Sequence, residues 1–593
     1  MCKMAHFGNC DPETADQEYC IFHKPDKSEE EAVEFYRKFL ERFKPRVEEI
    51  EVDGTTIKRL VFERPVDARG FVFPEIPRSV GFSFEYTTFK EDVNFSHGIF
   101  ESGVSFMESI FIGNAKFDHV TFKRNTYFPF VKFLGGVSFF ASVFLDDVHF
   151  DRTIFSKGSE KYLNFMWVRF KGDAYFHNCS FRGNVDSRDT IFHKTAYFSR
   201  STFDGWVKLY GATFKGETDF SECSFLRDFV VTDANFFETV SFAGSKFGES
   251  SNLESWVNLS NVVFSKGVRF DECTFNLPFH LHQVEFKEEV SFETSEFNRE
   301  IVFSNVVFSD YVSFSEAIFR APSIFGQLSI GMIPVLEYSG IAIEEDPDSP
   351  VIFKGPTNFS ASVFEGYSYF EGTVFKEDVS FEGASFNEPI SFQGKPENEK
   401  FKFHGKLDFF HVDIRKGIDI DIPSEWFKLP EAEIEARRVQ RLTYEKEGKR
   451  EEADRMFVLE MRAKRRARLK NAQGKLSKVK AYVHNFVEWL LADLPSEYGT
   501  NWVRLFLFSL LVIIGNAVPY TIWSKLIEGF PETSSYFIRF ANALYYSLVT
   551  FTTLGYGDMH PTGWLKALSA IEALTGAVFM ALIVAVIARK WMR

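Results

Sequence analysis

The stretch of this sequence best suited to chemistry runs from Thr552 to Asp558 and reads Thr-Thr-Leu-Gly-Tyr-Gly-Asp. Glycine adopts positive φ without steric cost, so Gly555 and Gly557 allow alternate residues to take left-handed backbone conformations. Such alternation turns successive carbonyl groups the same way. Four copies of the segment around one axis would line a passage with rings of oxygen, which can replace the hydration shell of a cation.

Two apolar runs and one short amphipathic segment must position this stretch. The runs, residues 502–523 and 565–588, are each long enough to cross a bilayer as a helix. Residues 536–550 are too few to span and are predicted to form a re-entrant helix, capped by Ser534 or Ser535, with its negative end toward the passage. The alternative is a plain glycine-rich turn between two membrane helices.

The sequence Thr-Leu-Gly-Tyr-Gly-Asp resembles the selectivity filter of potassium channels, with Leu554 where the commonest form has valine. The resemblance implies that residues 499–593 form a two-transmembrane, all-α, potassium-selective pore as one quarter of a homotetramer. It assigns potassium binding to Thr553, Leu554, Gly555, Tyr556 and Gly557. It assigns support of the filter to Asp558, Tyr545 and Tyr546, with one tyrosine meeting Asp558 and the other packing on Tyr556. A weakly selective cation channel and a membrane-anchored β-helical interaction scaffold remain alternatives.

The second apolar run contains the residues expected to open and close such a pore. By resemblance to the family, Gly576 is the expected bending point of the inner helix. Phe579, Ile583 and Ile587 recur every four residues, so we expect either a hydrophobic constriction or packing against lipid and helices. Glu572 is an acid within a spanning segment and therefore a functional candidate, facing either the short helix or the ion path.

Phenylalanine accounts for 74 of the 593 residues, against 9 tryptophans and 20 tyrosines. From Phe84 it recurs at alternating steps of five and six, an 11-residue unit that fits neither a helical period nor simple strand alternation. The frame runs to Phe325 and resumes from Phe353 toward Ile422. A fixed period of this kind is typical of a solenoid in which each coil buries the same column of side chains.

These repeats resemble the phenylalanine-rich pentapeptide-repeat family, whose members form right-handed quadrilateral β-helices. The resemblance covers residues 82–422, and one extra residue in every second repeat implies coils of 22 residues instead of 20. The frame predicts about eleven coils to Phe325 and about three more after a loop at residues 331–350. Cys179, Cys223 and Cys273 are interpreted as small buried residues rather than ligands or nucleophiles.

Four potential metal ligands occur within residues 1–27, namely Cys2, Cys10, Cys20 and His23. Three thiolates and one imidazole form a typical tetrahedral structural zinc site, and the two-residue spacer between Cys20 and His23 lets both reach one ion. So short and polar a segment has little core of its own, which is where a metal helps folding. His6 could replace one ligand, and a tail with incidental thiols is the alternative.

The remaining segments are predicted to cap or connect. Residues 28–81 are expected to form a helix capped by Ser28 and a β segment leading to the solenoid. Residues 423–475 are expected to form a helical hairpin around Gly448, and residues 476–498 an amphipathic helix at the membrane interface. Basic residues here are expected to set topology and contact anionic lipid. They are Arg462, Lys464, Arg465, Arg466, Arg468, Lys470, Lys475, Lys478 and Lys480.

Composition narrows the class of protein. A net charge of −15 argues against a nucleic-acid partner, and six cysteines without a disulfide framework favour a reducing cytosol. No apolar stretch opens the chain, so no secretory signal is expected. Basic flanks, including Arg589, Lys590 and Arg593, predict a multi-pass protein of the cell membrane with both termini cytoplasmic. Nothing suggests catalytic groups, so we expect a channel and not an enzyme, with an unknown cytosolic partner or ligand acting on the solenoid.

Overall fold

The protein is described by a computed structural model covering residues 1–52, 54–156, 163–249, 255–326 and 350–591. It divides into two compact units, Met1–Ala432 and Glu433–Arg593. The first unit is a β-solenoid and the second is helical. The loop expected at residues 331–350 lies outside the described residues except for Pro350, as do the side chains of Arg589, Lys590 and Arg593.

The solenoid begins with a helix and a β-hairpin. Helix α1 (Glu29–Phe43) starts with a capping box, in which Ser28 accepts from the Glu31 N–H and Glu31 accepts from the Ser28 N–H. Strands β1 (Arg46–Val52) and β2 (Thr55–Phe62) pair antiparallel. The end of β2 then pairs in parallel with the strand Thr88–Phe89, so the hairpin joins directly onto the stack of repeats.

The repeats form short parallel strands, each paired in register with a strand of the next coil. Thr88–Phe89 pairs with Ile110–Phe111, 22 residues later. One stack of such strands ends at Asp413–Ile414. A second stack runs from Val104–Ser105 to Leu407–Asp408. The 22-residue step confirms that two 11-residue repeats make one coil of a β-solenoid.

The third stack contains two faces of the coil, which merge in the middle of the solenoid. It begins with the separate strands Val66–Asp67 and Val72–Phe73. Further along, three eight-residue strands pair in parallel register: Val257–Phe264, Phe279–Phe286 and Ile301–Phe308. The register skips Asn261 and Gln283, which keep a positive φ of 53°. The left-handed corner residue is therefore retained in these coils, and the strands on its two sides join into one long strand, a feature that the repeat frame does not predict.

A turn with one left-handed residue forms one corner of each half-coil. Tyr86 (φ 58°), His97 (61°) and Glu108 (56°) are the first examples, eleven residues apart. The turn is closed by the hydrogen bond that the Thr87 N–H donates to the Phe84 carbonyl, 3.3 Å long. Left-handed backbone is unusual for residues with a β-carbon, so the repeat accepts this conformation to keep its phenylalanines pointing inward.

Phenylalanine rings fill the inside of the solenoid and stack from coil to coil. Phe292 is fully buried, with ring centroids 4.8 Å from Phe270 and 4.7 Å from Phe314. The planes of these neighbouring rings differ by 2° and 1°. Burial of such rings is the main stabilising contribution of each coil.

Hydroxyl and thiol side chains form a ladder along one corner. Ser201 Oγ donates to the Phe176 carbonyl at 2.6 Å and accepts from the Cys179 N–H at 2.9 Å. Six successive coils place a side chain in this way, namely Cys179, Ser201, Cys223, Ser245, Cys273 and Ser295. Burial raises the pKa of the three thiols, which agrees with their interpretation as unreactive core residues.

The second unit contains the linker and membrane helices. Helices α2 (Pro430–Lys446) and α3 (Arg450–Asn471) flank Gly448 as a hairpin. They are followed by α4 (Lys475–Glu488), a π-helical turn at Trp489–Asp493, and then α5 (Trp502–Ile522), α6 (Tyr536–Phe551) and α7 (Leu565–Trp591). By length and composition, α5 and the Leu565–Ala588 part of α7 can cross a membrane.

Candidate functional site

Helices α5, α6 and α7 pack around a shared core just before the glycine-rich stretch. Its buried members are Ala517, Tyr520, Ile527, Ala543, Tyr546 and Leu565. Ser535 lies at the N-cap position of α6 but its side chain makes no capping hydrogen bond, unlike the expectation from sequence. A short antiparallel pair, Ile527–Glu528 with His560–Pro561, closes the loops on either side of α6.

The backbone of the stretch has the alternation that its glycines suggest. Thr553 (φ 56°), Gly555 (54°) and Gly557 (75°) are left-handed, and the residues between them are not. The Thr553 and Leu554 N–H groups donate to the Thr550 and Val549 carbonyls, both at 3.1 Å, which ties the start of the stretch to the end of α6. The side chains of Leu554 and Tyr556 are 60% and 67% exposed. In one chain, the stretch therefore forms a wall that is open on one side.

Tyr545 and Tyr546 lie next to each other on α6 but have different partners. The Tyr545 hydroxyl donates to Asp558 Oδ2 at 3.0 Å, which joins α6 to the end of the glycine-rich stretch. The Tyr546 hydroxyl lies 2.8 Å from Ser569 Oγ on α7, and its ring packs edge-on against Tyr520 at 4.9 Å. Tyr546 is therefore part of the core between the three helices.

Glu572 faces the other helices and not the open wall. Its side chain is 2% exposed, Tyr520 on α5 donates to it at 2.7 Å, and Ser547 on α6 is also within hydrogen-bond distance. The sequence left the direction of Glu572 open and did not identify these partners. Tyr520, Ser547 and Ser569 are polar residues inside apolar segments, and this was the sequence signal that could have identified them as partners.

Gly576 allows α7 to approach the end of α6. A β-carbon at this position would lie 1.8 Å from the carbonyl oxygen of Phe551. This distance is too short for any contact, so a residue with a side chain does not fit here unless one of the two helices moves. One turn further, the Phe579 ring packs 6.0 Å from Phe508 and 6.3 Å from Phe551. Phe579 thus contacts one residue of α5 and the last residue of α6, whereas Ile587 is 37% exposed in the single chain.

Comparison with known families decides the class of this domain. Residues 507–593 match the family model described as ion channel. The helical unit carries an ion-channel domain of the two-transmembrane type. Within the solenoid, residues 167–213 match the model described as pentapeptide repeats. No curated protein and no solved structure gave a significant match. These findings describe a membrane protein in which a channel domain is joined to a pentapeptide-repeat solenoid, and they favour a non-enzymatic role.

The linker before the channel domain holds most of its basic residues in ion pairs. Arg462 and Arg465 on α3 each reach Asp493 at 2.8 Å. Burial raises the pKa of Asp493, but the hydrogen bond from Arg462 and the two positive charges outweigh it and lower that pKa below its usual range. Three further pairs are Lys464–Glu460, Arg466–Glu433 and Arg468–Glu488. Because these five cations form ion pairs within the chain, fewer basic residues remain for the contact with anionic lipid that the sequence predicts.

Helix α4 keeps the features of an interfacial helix. Lys475, Lys478 and Lys480 are exposed. Large apolar side chains of the same helix are exposed beside them, including Leu476, Val479, Tyr482, Val483 and Phe486. A stripe of this kind next to lysines suits the boundary between headgroups and acyl chains.

The four N-terminal residues predicted to bind metal converge. The ligand atoms of Cys2, Cys10, Cys20 and His23 all lie within 4.8 Å of one another, and Cys20 Sγ is 2.9 Å from His23 Nδ1. His23 Nε2 lies 3.3 Å from the Arg69 carbonyl, which directs Nδ1 toward the sulfurs. Burial lowers the pKa of His23 to about 4, so its imidazole is neutral. The donor set and its spacing fit a tetrahedral zinc ion.

Proposed function

We propose that the protein is a homotetrameric, potassium-selective channel whose filter is formed by residues 553–557. The observation that carries this proposal is the alternating left-handed backbone of Thr553, Gly555 and Gly557 at the end of a helix too short to span a bilayer. Carbonyl groups of Thr553, Leu554, Gly555 and Tyr556, with the Thr553 hydroxyl, would coordinate potassium ions. Rings of such oxygens from several chains replace the water around the ion.

The exposed surface of one chain supports assembly with further copies. Leu554 and Tyr556 are more than half exposed, and so are Ile571 and Leu574 on α7, at 63% and 69%. Such side chains need lipid or other copies to cover them. Four copies would complete the oxygen rings, and the Tyr545 bond to Asp558 would hold each filter segment from behind.

The inner helix α7 would supply the gate. Gly576 is its proposed bending point, and Ile583 and Ile587 are its proposed constriction.

We also place both termini and the solenoid in the cytoplasm, where the solenoid has a regulatory or scaffolding role for an unidentified partner. Lipid contact is proposed for α4, through Lys475, Lys478 and Lys480, and replacing these lysines with glutamine should reduce the anionic lipid retained by the purified tetramer.

Potassium selectivity is tested by the reversal potential of the purified protein in a planar bilayer under opposed potassium and sodium gradients. We expect the potential to move to the potassium equilibrium value. Gly557→Ala should abolish this shift because it strains a left-handed position. Gly515→Ala on α5 is the matched control, since a β-carbon there meets nothing within 4 Å. Current that ignores the difference between the two ions would refute the selectivity proposed here.

One structural zinc ion per chain is proposed at Cys2, Cys10, Cys20 and His23, where its bonds would hold the N-terminal segment together. Metal analysis should find about one zinc per chain in the wild type and almost none in Cys20→Ser. Cys223→Ser, which changes a buried ladder thiol, should keep the zinc. Equal zinc in Cys20→Ser and the wild type would exclude this site.

A further inference from the structure

Five polar side chains meet between the three helices of the channel domain, in its buried interior. They are Tyr520 on α5, Tyr546 and Ser547 on α6, and Ser569 and Glu572 on α7, none of them more than 7% exposed. Glu572 forms no ion pair with any described residue, although its carboxyl group is buried. Burying an ionised carboxylate without a positive partner costs free energy, so the protonation state of Glu572 matters. The directions of the surrounding hydrogen bonds indicate that state.

The count depends on Ser547, because its single hydroxyl hydrogen faces two oxygens. Ser547 Oγ lies 2.8 Å from the Ile513 carbonyl oxygen, which can only accept. It also lies within hydrogen-bond distance of Glu572 Oε1. If Ser547 donated to Glu572, the serine and carbonyl oxygens would stand 2.8 Å apart with no hydrogen between them. Ser547 therefore donates to Ile513, and the hydrogen between Ser547 and Glu572 belongs to Glu572.

The other bonds of the group agree with this direction. Tyr520 donates to Glu572 Oε2 at 2.7 Å. The Tyr520 oxygen lies 3.1 Å from Ser569 Oγ, which in turn lies 2.8 Å from the Tyr546 hydroxyl. One consistent chain then runs from Tyr546 through Ser569, Tyr520, Glu572 and Ser547 to the Ile513 carbonyl. Every hydroxyl donates once, and the chain closes only if Glu572 carries a proton.

We infer that Glu572 is a neutral carboxylic acid that acts as a positioning residue, holding α6 to α5 and α7 and thereby orienting the stretch at residues 553–557. Its O–H donates to Ser547, and its carbonyl oxygen accepts from Tyr520. Ser547 lies one helical turn before Phe551, where α6 ends, so its position sets the start of the stretch. The consequence for ion selectivity rests on the proposed function, whereas the protonation state does not.

Glutamine is the informative substitution, because it is neutral and keeps one acceptor and one donor. In the full-length channel, Glu572→Gln should preserve the ratio of potassium to sodium permeability within about twofold, since both bonds survive. Ser547→Ala removes the link to α5 and should lower that ratio about fivefold or more. Ser509→Ala is the control, because this buried serine on α5 donates to the Leu505 carbonyl of its own helix, at 2.9 Å, and so does not link two helices among the described residues.

Infrared spectroscopy of the same proteins tests the proton itself. The wild type should show the C=O stretch of a protonated carboxyl group that disappears in Glu572→Gln. Ser547→Ala should shift this band, because it removes the group to which the acid donates, so the test survives if the glutamine variant fails to assemble. A channel without potassium preference would refute the proposed function but leave the band readable.

Two results would overturn the inference. One is the absence of any carboxyl band sensitive to residues 572 and 547, which would mean that Glu572 is ionised. The other is a Glu572→Gln channel that loses selectivity as strongly as Ser547→Ala, which would mean that the negative charge, and not the neutral hydrogen bonds, positions α6.

Discussion

The solenoid and the channel domain bury their apolar surface in different ways. In the solenoid, the ring of Phe292 is covered by the equivalent rings of the coils on either side, all within one chain. In the channel domain, Leu554 and Leu574 remain 60% and 69% exposed in one chain. The solenoid therefore covers its apolar side chains by its own repetition, whereas one chain of the channel domain leaves Leu554 and Leu574 uncovered.

The two regions also differ in how they satisfy buried polar groups. The solenoid repeats one solution in each coil, as Ser201 and Ser245 show by donating to Phe176 and Phe220 in the same way. The channel domain has a single network around Glu572 that draws on three helices. A substitution in the repeated ladder should lower the stability of the solenoid locally. A substitution in the network around Glu572 should instead change the ion selectivity proposed for the channel domain.

The largest expected effect comes from Gly576→Ala, which tests how closely the channel helices must pack. The added methyl group would lie 1.8 Å from the Phe551 carbonyl oxygen, so α6 or α7 must move. The ordinary gain in helix propensity from alanine, about 1 kcal/mol, is too small to offset such overpacking. We expect at least about tenfold less potassium flux into vesicles and a lower melting temperature of the assembled protein.

This result separates packing from bending at the same residue. If Gly576 served only as a hinge, alanine would change gating and leave the melting temperature of the assembly unchanged. Gly515→Ala provides the baseline, because its methyl group meets nothing within 4 Å. Equal melting temperatures for the two variants would show that the close approach of α7 to α6 is not required.

The second prediction concerns the repeated core. Phe292→Ala should destabilise the solenoid by about 3–5 kcal/mol, because it removes a fully buried ring and leaves a cavity between two coils. Phe237, 48% exposed, is the matched control and should cost less than about 1 kcal/mol when replaced by alanine. Denaturant unfolding of the full chain followed by circular dichroism measures both. Similar losses would mean that stacked rings do not dominate the stability of the coils.

Repetition also explains what sequence reasoning could and could not predict. One residue type at a fixed period revealed the 22-residue coil, and hydropathy placed the helix boundaries of the channel domain within a few residues. The merged strands such as Phe279–Phe286 were not visible, because the residue spacing is the same whether or not the strands on the two sides of a corner join. Partners distant in sequence were also hidden. Arg462 and Asp493, 31 residues apart, form an ion pair that only the folded linker reveals.

The smallest effect should follow from a change in the serine–cysteine ladder. Ser245 Oγ donates to the Phe220 carbonyl at 2.6 Å and accepts from the Cys223 N–H at 2.9 Å. Ser245→Ala leaves both groups without this partner and should cost about 1–3 kcal/mol of solenoid stability in denaturant unfolding. Cys223→Ser preserves the ladder, since serine occupies the same position in adjacent coils, and should cost less than about 1 kcal/mol.

Ser245→Ala and Ser547→Ala make the same chemical change, the first in the solenoid and the second in the channel domain. If the ladder serves stability alone, Ser245→Ala should lower the unfolding free energy and leave the permeability ratio unchanged. Ser547→Ala should alter the permeability ratio by breaking the bond from α6 to the Ile513 carbonyl on α5. A selectivity change in Ser245→Ala would show instead that the ladder contributes to conduction, and the contrast between a repeated and a unique polar network would fail.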